Sequence, residues 1–72
     1  MSNLGEKIFR LRTSEGMSLR DLAAKSGVSN PFISQLETGK QRNPSISTLF
    51  HLAKGLEISP ILLAEAAFED IA

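Results

Sequence analysis

Glycine at positions 5, 16, 27 and 39 divides the first forty residues into intervals of 11 or 12. The intervening sequences do not resemble one another, so the glycines read as punctuation between segments and not as a repeat. Each interval has room for one short helix, and a helix of fewer than roughly 12 residues persists only when it is packed against something. A chain cut in this way folds by burying several short apolar faces in one another. With 72 residues in all, it has room for one such core, residues 1–72 forming a single domain. It has no cysteine, so neither disulfides nor thiolate metal sites brace the core. Packing, helix caps and self-association remain.

The apolar periodicity locates the helices. Over residues 3 to 15, Leu4, Ile8 and Leu11 fall at the i, i+4, i+7 spacing of one helical face, with Gly16 placed to end the segment. Residues 19 to 26 follow Ser18 as N-cap, turn Leu19, Leu22 and Ala23 inward, and stop at Gly27. In the third segment, about 29 to 38, Ser29 is the cap and Pro31 lies in the first turn, where its missing N–H does no harm. Its apolar residues are only Phe32, Ile33 and Leu36. The run KQRNPS, residues 40 to 45, has turn composition and reads as a loop. A fourth helix, starting after Ser45 or Ser47, sets Ile46, Leu49, Ala53 and Leu56 inward with Leu52 beside them. Gly55 sits awkwardly in its last turn, at a cost of roughly 1 kcal/mol relative to alanine. The fifth begins with Ser59 and Pro60, a strong start signal, and is apolar on nearly every side. No segment alternates like a strand. The expected fold is all-α, with five short helices.

Several functions are excluded by what is missing. One histidine, His51, and no cysteine do not make a zinc site, and no glycine-rich phosphate loop follows a strand. His51 reads as an ordinary helix residue. The serines are accounted for mostly as caps, so the expectation is no enzyme, no metal and no cofactor. The first residues carry charge at Glu6, Lys7, Arg10 and Arg12 and are not a signal peptide. No stretch approaches a membrane span of roughly 20 apolar residues. The lack of cysteine fits the reducing cytoplasm, the expected location.

Net charge is zero, which by itself argues against a polyanionic partner. The distribution argues otherwise. Residues 1–42 hold seven basic and four acidic side chains, a balance of +3, and residues 43–72 hold one basic and four acidic, a balance of −3. One basic region able to meet phosphates and one acidic region kept away from them is the reading of such asymmetry.

Residues 18 to 38 are the specific part: a short helix, the tight joint SGVS and a second short helix form a helix-turn-helix. The chain resembles the lambda-repressor-like, Xre/Cro-type helix-turn-helix family from about Leu4 to Leu63. The resemblance is carried by LR at 11 and 12, Gly16, Ser18, LA at 22 and 23, GVS at 27 to 29, IS at 33 and 34, Glu37, Gly39, Pro44, Leu49, LA at 52 and 53, Leu56 and LL at 62 and 63. It implies a compact five-helix DNA-binding domain that regulates transcription, a repressor of the palindromic-operator type acting as a homodimer on double-stranded DNA.

Carried over residue by residue, the resemblance explains the divided third helix. Ile33 and Leu36 match core positions, while Asn30, Pro31, Ser34 and Gln35 match positions that face the major groove. Asn30 and Gln35 are the best base readers, because an amide pairs bidentately with adenine. Pro31 departs from the hydrogen-bonding residue often found there; it can touch a thymine methyl but offers no donor. Phe32 reads as packing. For the phosphates, Ser18 and the free backbone N–H groups at the start of the second helix, together with Arg20, face one stretch. Lys40, Arg42 and Asn43 face the next. Arg12 and Glu37 match the family's ion pair, a structural tie between the first and third helices. Dimer contact falls to Ile58, Ile61, Leu62 and Phe68, since the fifth helix cannot bury its whole circumference in so small a domain. A different reading gives the same fold to an antitoxin or adaptor whose main partner is a protein.

Overall fold

Each of the five helices in the computed structural model, which describes residues 2–71, is led by a serine. The helices are α1 (Asn3–Ser14), α2 (Leu19–Ser26), α3 (Asn30–Thr38), α4 (Ile46–Leu56) and α5 (Pro60–Ile71), and no strand occurs among the described residues. Ser2, Ser18, Ser29 and Ser45 are N-caps whose hydroxyls accept from the backbone N–H three residues on, at 2.9–3.3 Å. Ser59 Oγ accepts from Ile61 N at 3.2 Å. Each such bond satisfies one of the donors that a helix start leaves without a partner. The local chemistry thus sets where helices begin, and left-handed glycines at 27 and 39 set where α2 and α3 end.

The core gathers side chains from all five helices: Leu4 and Ile8, Leu22, Ile33 and Leu36, Leu49, Leu52, Ala53 and Leu56, then Leu63 and Ala66. Ile46 is not among them. It is 71% exposed, because it opens α4 one turn before Leu49, the first buried residue of that helix, and projects past the cover that the others share. Leu11, Leu19 and Ala23 are half-buried at the rim.

Two glycines serve close packing and not punctuation. Gly5 lies inside α1 and is buried. A methyl group there would collide with the backbone carbonyl oxygen of Leu36 and stand 2.8 Å from that of Glu37, so α1 rests directly on the C-terminal turn of α3. Gly55 does the same between α4 and α2: a Cβ would meet Ser26 Cβ at 2.9 Å and Leu22 Cδ1 at 3.1 Å. Its helix-propensity penalty is the cost of that approach. The left-handed cap of α4 falls instead on Glu57, at φ 58°.

Polar ties complete the frame. The Asp70 carboxylate, near the end of α5, accepts from the N–H groups of Asn3 at 2.7 Å and Leu4 at 3.1 Å, closing the chain's end onto its beginning. Between α1 and α3, Arg12 Nε donates to Glu37 Oε2 at 2.7 Å and Nη2 donates to Oε1 at 3.0 Å, a bidentate fork. Both residues are buried, at 9% and 5% exposure. The carboxylate raises the Arg12 pKa above its ordinary value against the opposing effect of burial.

Replacing Glu37 by alanine leaves that buried cation without its partner, which costs about 3–5 kcal/mol. For a domain of this size the melting temperature falls by upwards of about 12 °C, read by circular dichroism. An unchanged melt removes the pair from the account of stability.

At the start of α2 the cap is reciprocal: Ser18 N donates to Asp21 Oδ2 at 2.9 Å while Asp21 N donates to Ser18 Oγ at 3.0 Å. The Ser18 backbone bond lowers the Asp21 pKa first, and the Ser18 hydroxyl next. A carboxylate whose folded pKa is depressed stabilises the fold above its unfolded pKa and loses that contribution as pH falls through the folded value. Wild type is therefore expected to exceed Asp21→Asn in denaturation midpoint at neutral pH, with the gap closing as pH falls below about 4. A gap independent of pH contradicts this.

Candidate nucleic-acid interface

The face that α3 leaves open is what remains after packing. Ile33, Leu36 and Glu37 form its buried stripe. At 100° per residue, Pro31, Gln35 and Thr38 lie opposite that stripe, Ser34 lies on its flank, and Asn30 occupies the first turn. Asn30, Pro31, Gln35 and Thr38 are exposed and Ser34 is half-buried, so the four residues expected to read bases reach solvent together on one short helix. Phe32 is half-buried against the core. Thr38 belongs to the same outward face; its hydroxyl donates to the Gln35 carbonyl at 3.3 Å.

The amides present donors and acceptors without charge, and a hydroxyl and a proline ring fill the space between them. Such a surface suits base edges in a major groove, which offer both kinds of hydrogen-bonding partner and thymine methyl groups. The charge lies beside it. Gly39 turns the chain out of α3, and Gln41 N donates back to the Gln35 carbonyl at 3.0 Å, holding the first part of the loop against the helix end. Lys40, Arg42 and Asn43 follow, all exposed. Arg42 Nε donates to the Gly39 carbonyl at 3.3 Å, and its two terminal nitrogens have no partner among the described residues.

At the start of α2, Ser18 and Arg20 are exposed, as a phosphate contact requires. The backbone there is less open than the sequence suggests. The reciprocal cap already engages the N–H groups of Ser18 and Asp21, and only those of Leu19 and Arg20 lack a partner among the described residues. The pattern Ser18-x-x-Asp21 is a recognisable capping box and carried that signal. Ser18 Oγ accepts in this cap, so its own hydroxyl proton stays available to an anion.

The apolar surface lies on other helices. Ile61, Phe68 and Ile71 on α5 are 64%, 68% and 74% exposed, and Leu62 is 39% exposed. Ile58 differs, being half-buried against its own core. On α4, Ile46 and Phe50 are exposed as well. Among the described residues no group of histidines and carboxylates could hold a metal ion, and no helix is long and apolar enough to cross a membrane.

Comparison with known proteins places the fold among helix-turn-helix regulators. The family described as Helix-turn-helix matches residues 8–63. The chain is 38% identical over 60 residues to the uncharacterized HTH-type transcriptional regulator y4dJ of Sinorhizobium fredii, covering 83% of this chain and 77% of that one. It is 35% identical over 66 residues to the HTH-type transcriptional regulator SinR of Bacillus subtilis, covering 92% of this chain and 60% of SinR. The structure of SinR, master regulator for biofilm formation, in complex with DNA superposes with a TM-score of 0.80 at 36% identity, over 85% of this chain and 97% of that one. The restriction-modification controller protein C.AhdI of Aeromonas hydrophila superposes with a TM-score of 0.79 at 33% identity, over 85% and 91% of the two chains. A helix-turn-helix at Leu19–Thr38 inside five helices, with this match along its length, makes the chain a member of the Xre/lambda-repressor-like helix-turn-helix family.

Proposed function

We propose that the protein is a sequence-specific DNA-binding regulator of transcription, a repressor that occupies a palindromic operator as a homodimer with α3 in the major groove. The observation that carries the reading is the outward face of α3: neutral hydrogen-bonding side chains at Asn30, Ser34 and Gln35, followed at once by the exposed cations Lys40 and Arg42. Asn30 and Gln35 read bases, Pro31 meets a thymine methyl, and Ser18, Arg20, Lys40, Arg42 and Asn43 hold the phosphates on either side. DNA binding is supported by SinR, whose structure in complex with DNA shares this fold. It makes the protein a binder and not an enzyme, acting in the cytoplasm without a cofactor.

The homodimer is supported by the exposed apolar residues of α5, Ile61, Leu62 and Phe68, with Ile58 contributing at the edge of the core. A two-fold axis through that region presents two copies of α3 to half-sites about one helical turn, roughly 34 Å, apart. An antitoxin or adaptor role uses the same apolar surface for a different protein; it gains weight only if duplex DNA is not bound.

Substitution separates the two kinds of contact. Gln35→Ala is expected to cost about 1–3 kcal/mol of operator binding and to relax preference at one base position. Arg42→Ala weakens binding to all duplexes alike and lowers the slope of log affinity against log salt by about 1. Fluorescence anisotropy across a salt series reads both. If neither substitution changes duplex binding, α3 and its loop are not the interface.

A further inference from the structure

The Arg12 guanidinium makes three bonds at its edge, and they go to two places. Nε and Nη2 donate to Glu37, the penultimate residue of α3, and Nη1 donates to the Met17 carbonyl at 2.8 Å. Met17 immediately precedes Ser18, the N-cap of α2. One planar cation therefore ties the end of the base-facing helix to the entrance of the phosphate-facing helix.

That cation also lies over an aromatic ring. Phe9 lies three residues earlier on α1, and the Arg12 Cζ atom stands 5.5 Å from the centroid of its ring. Phe9 is 41% exposed and is not part of the core, so the cavity-filling that accounts for the other large apolar residues of α1 does not account for it. The placed partner of its ring is the Arg12 cation. An aromatic face attracts a guanidinium, excludes water from it and leaves its edge free to bond in the plane. Solvent admitted at this point would compete for the fork and let the side chain swing.

We propose that Phe9 is a positioning residue for DNA recognition: its ring holds Arg12 in the plane that keeps α3 and the entrance of α2 at the spacing a duplex requires. This role rests on the reading of α3 as the DNA-reading helix. It acts through Arg12, and Phe9 itself need touch no nucleotide.

Phe9→Leu keeps an apolar side chain and removes the ring, Phe9→Met is a second ringless variant, and Phe9→Tyr keeps the ring. Two readouts are taken on each: hydrogen exchange of the Arg12 Nε–H by 15N NMR on the free protein, and affinity for the duplex that wild type selects against an unrelated duplex. In the ringless variants Arg12 exchange is expected to accelerate, and affinity for the selected duplex to fall roughly three- to fivefold, the size of one such contact. Affinity for the unrelated duplex falls less than that for the selected one, and Phe9→Tyr restores both readouts. Unchanged Arg12 exchange in the ringless variants overturns the proposal. So does faster exchange with undiminished binding to the selected duplex, or failure of Phe9→Tyr to restore it. A wild-type protein that selects no duplex overturns the DNA reading and this role with it, while faster exchange in the same variants still separates the ring's hold on Arg12 from that failure.

Discussion

A nine-residue helix holds no angle of its own, and α3 takes its orientation from its packing on α2 and from the contact that α1 makes with its last turn. Two features of α1 produce that contact. Gly5 lets the helix backbones meet where any side chain would strike the carbonyls of Leu36 and Glu37, and Arg12 grips the Glu37 carboxylate two turns further on. The first sets how near the helices lie, the second how they are rotated. A buried ion pair adds little stability compared with apolar side chains of the same volume, but it is satisfied in very few geometries. On the proposed reading that narrowness is the useful property, because a surface that reads base edges must present its amides at a defined tilt.

Much of the fold is legible in the sequence because its instructions are local. A serine before an apolar period, a proline in a first turn and a glycine after the last turn act over three or four residues; all five helices begin within a residue or two of where these signals put them, and α2 and α3 end at the glycines so marked. The outward face of α3 is legible for a related reason: it is the complement of the apolar stripe at Ile33 and Leu36. What the sequence hides is non-local. Nothing near Gly5 or Gly55 distinguishes a glycine that ends a helix from one that lets a second helix approach, and both roles occur in this chain. Asp70 caps a helix that starts 67 residues earlier, beyond the range of any capping pattern. Ile46 has the right period for the core but sits at the end of α4, where no neighbour covers it.

Charge placement and apolar exposure divide the surface between two tasks. A protein with no net charge can still meet phosphates if its cations are gathered where the backbone of a duplex passes, and Arg20, Lys40 and Arg42 all lie outside the core at the ends of the helix-turn-helix unit. On the proposed reading, the absence of excess positive charge elsewhere keeps non-specific affinity low, which raises the share of binding that base contacts must supply. The acidic half of the chain includes α5, whose exposed isoleucines and phenylalanine are a poor surface for water and a good one for a second protein. On the reading proposed here, that second protein is another copy of this chain.

The most direct test is selection from a random duplex pool by the purified, folded protein at moderate salt, followed by sequencing of the retained duplexes. Enrichment of a two-fold symmetric motif with half-sites one helical turn apart is the predicted result, and it would place two copies of α3 on one face of the DNA. Recovery of the starting pool, with no sequence enriched, would contradict the account and make a protein the partner of this fold.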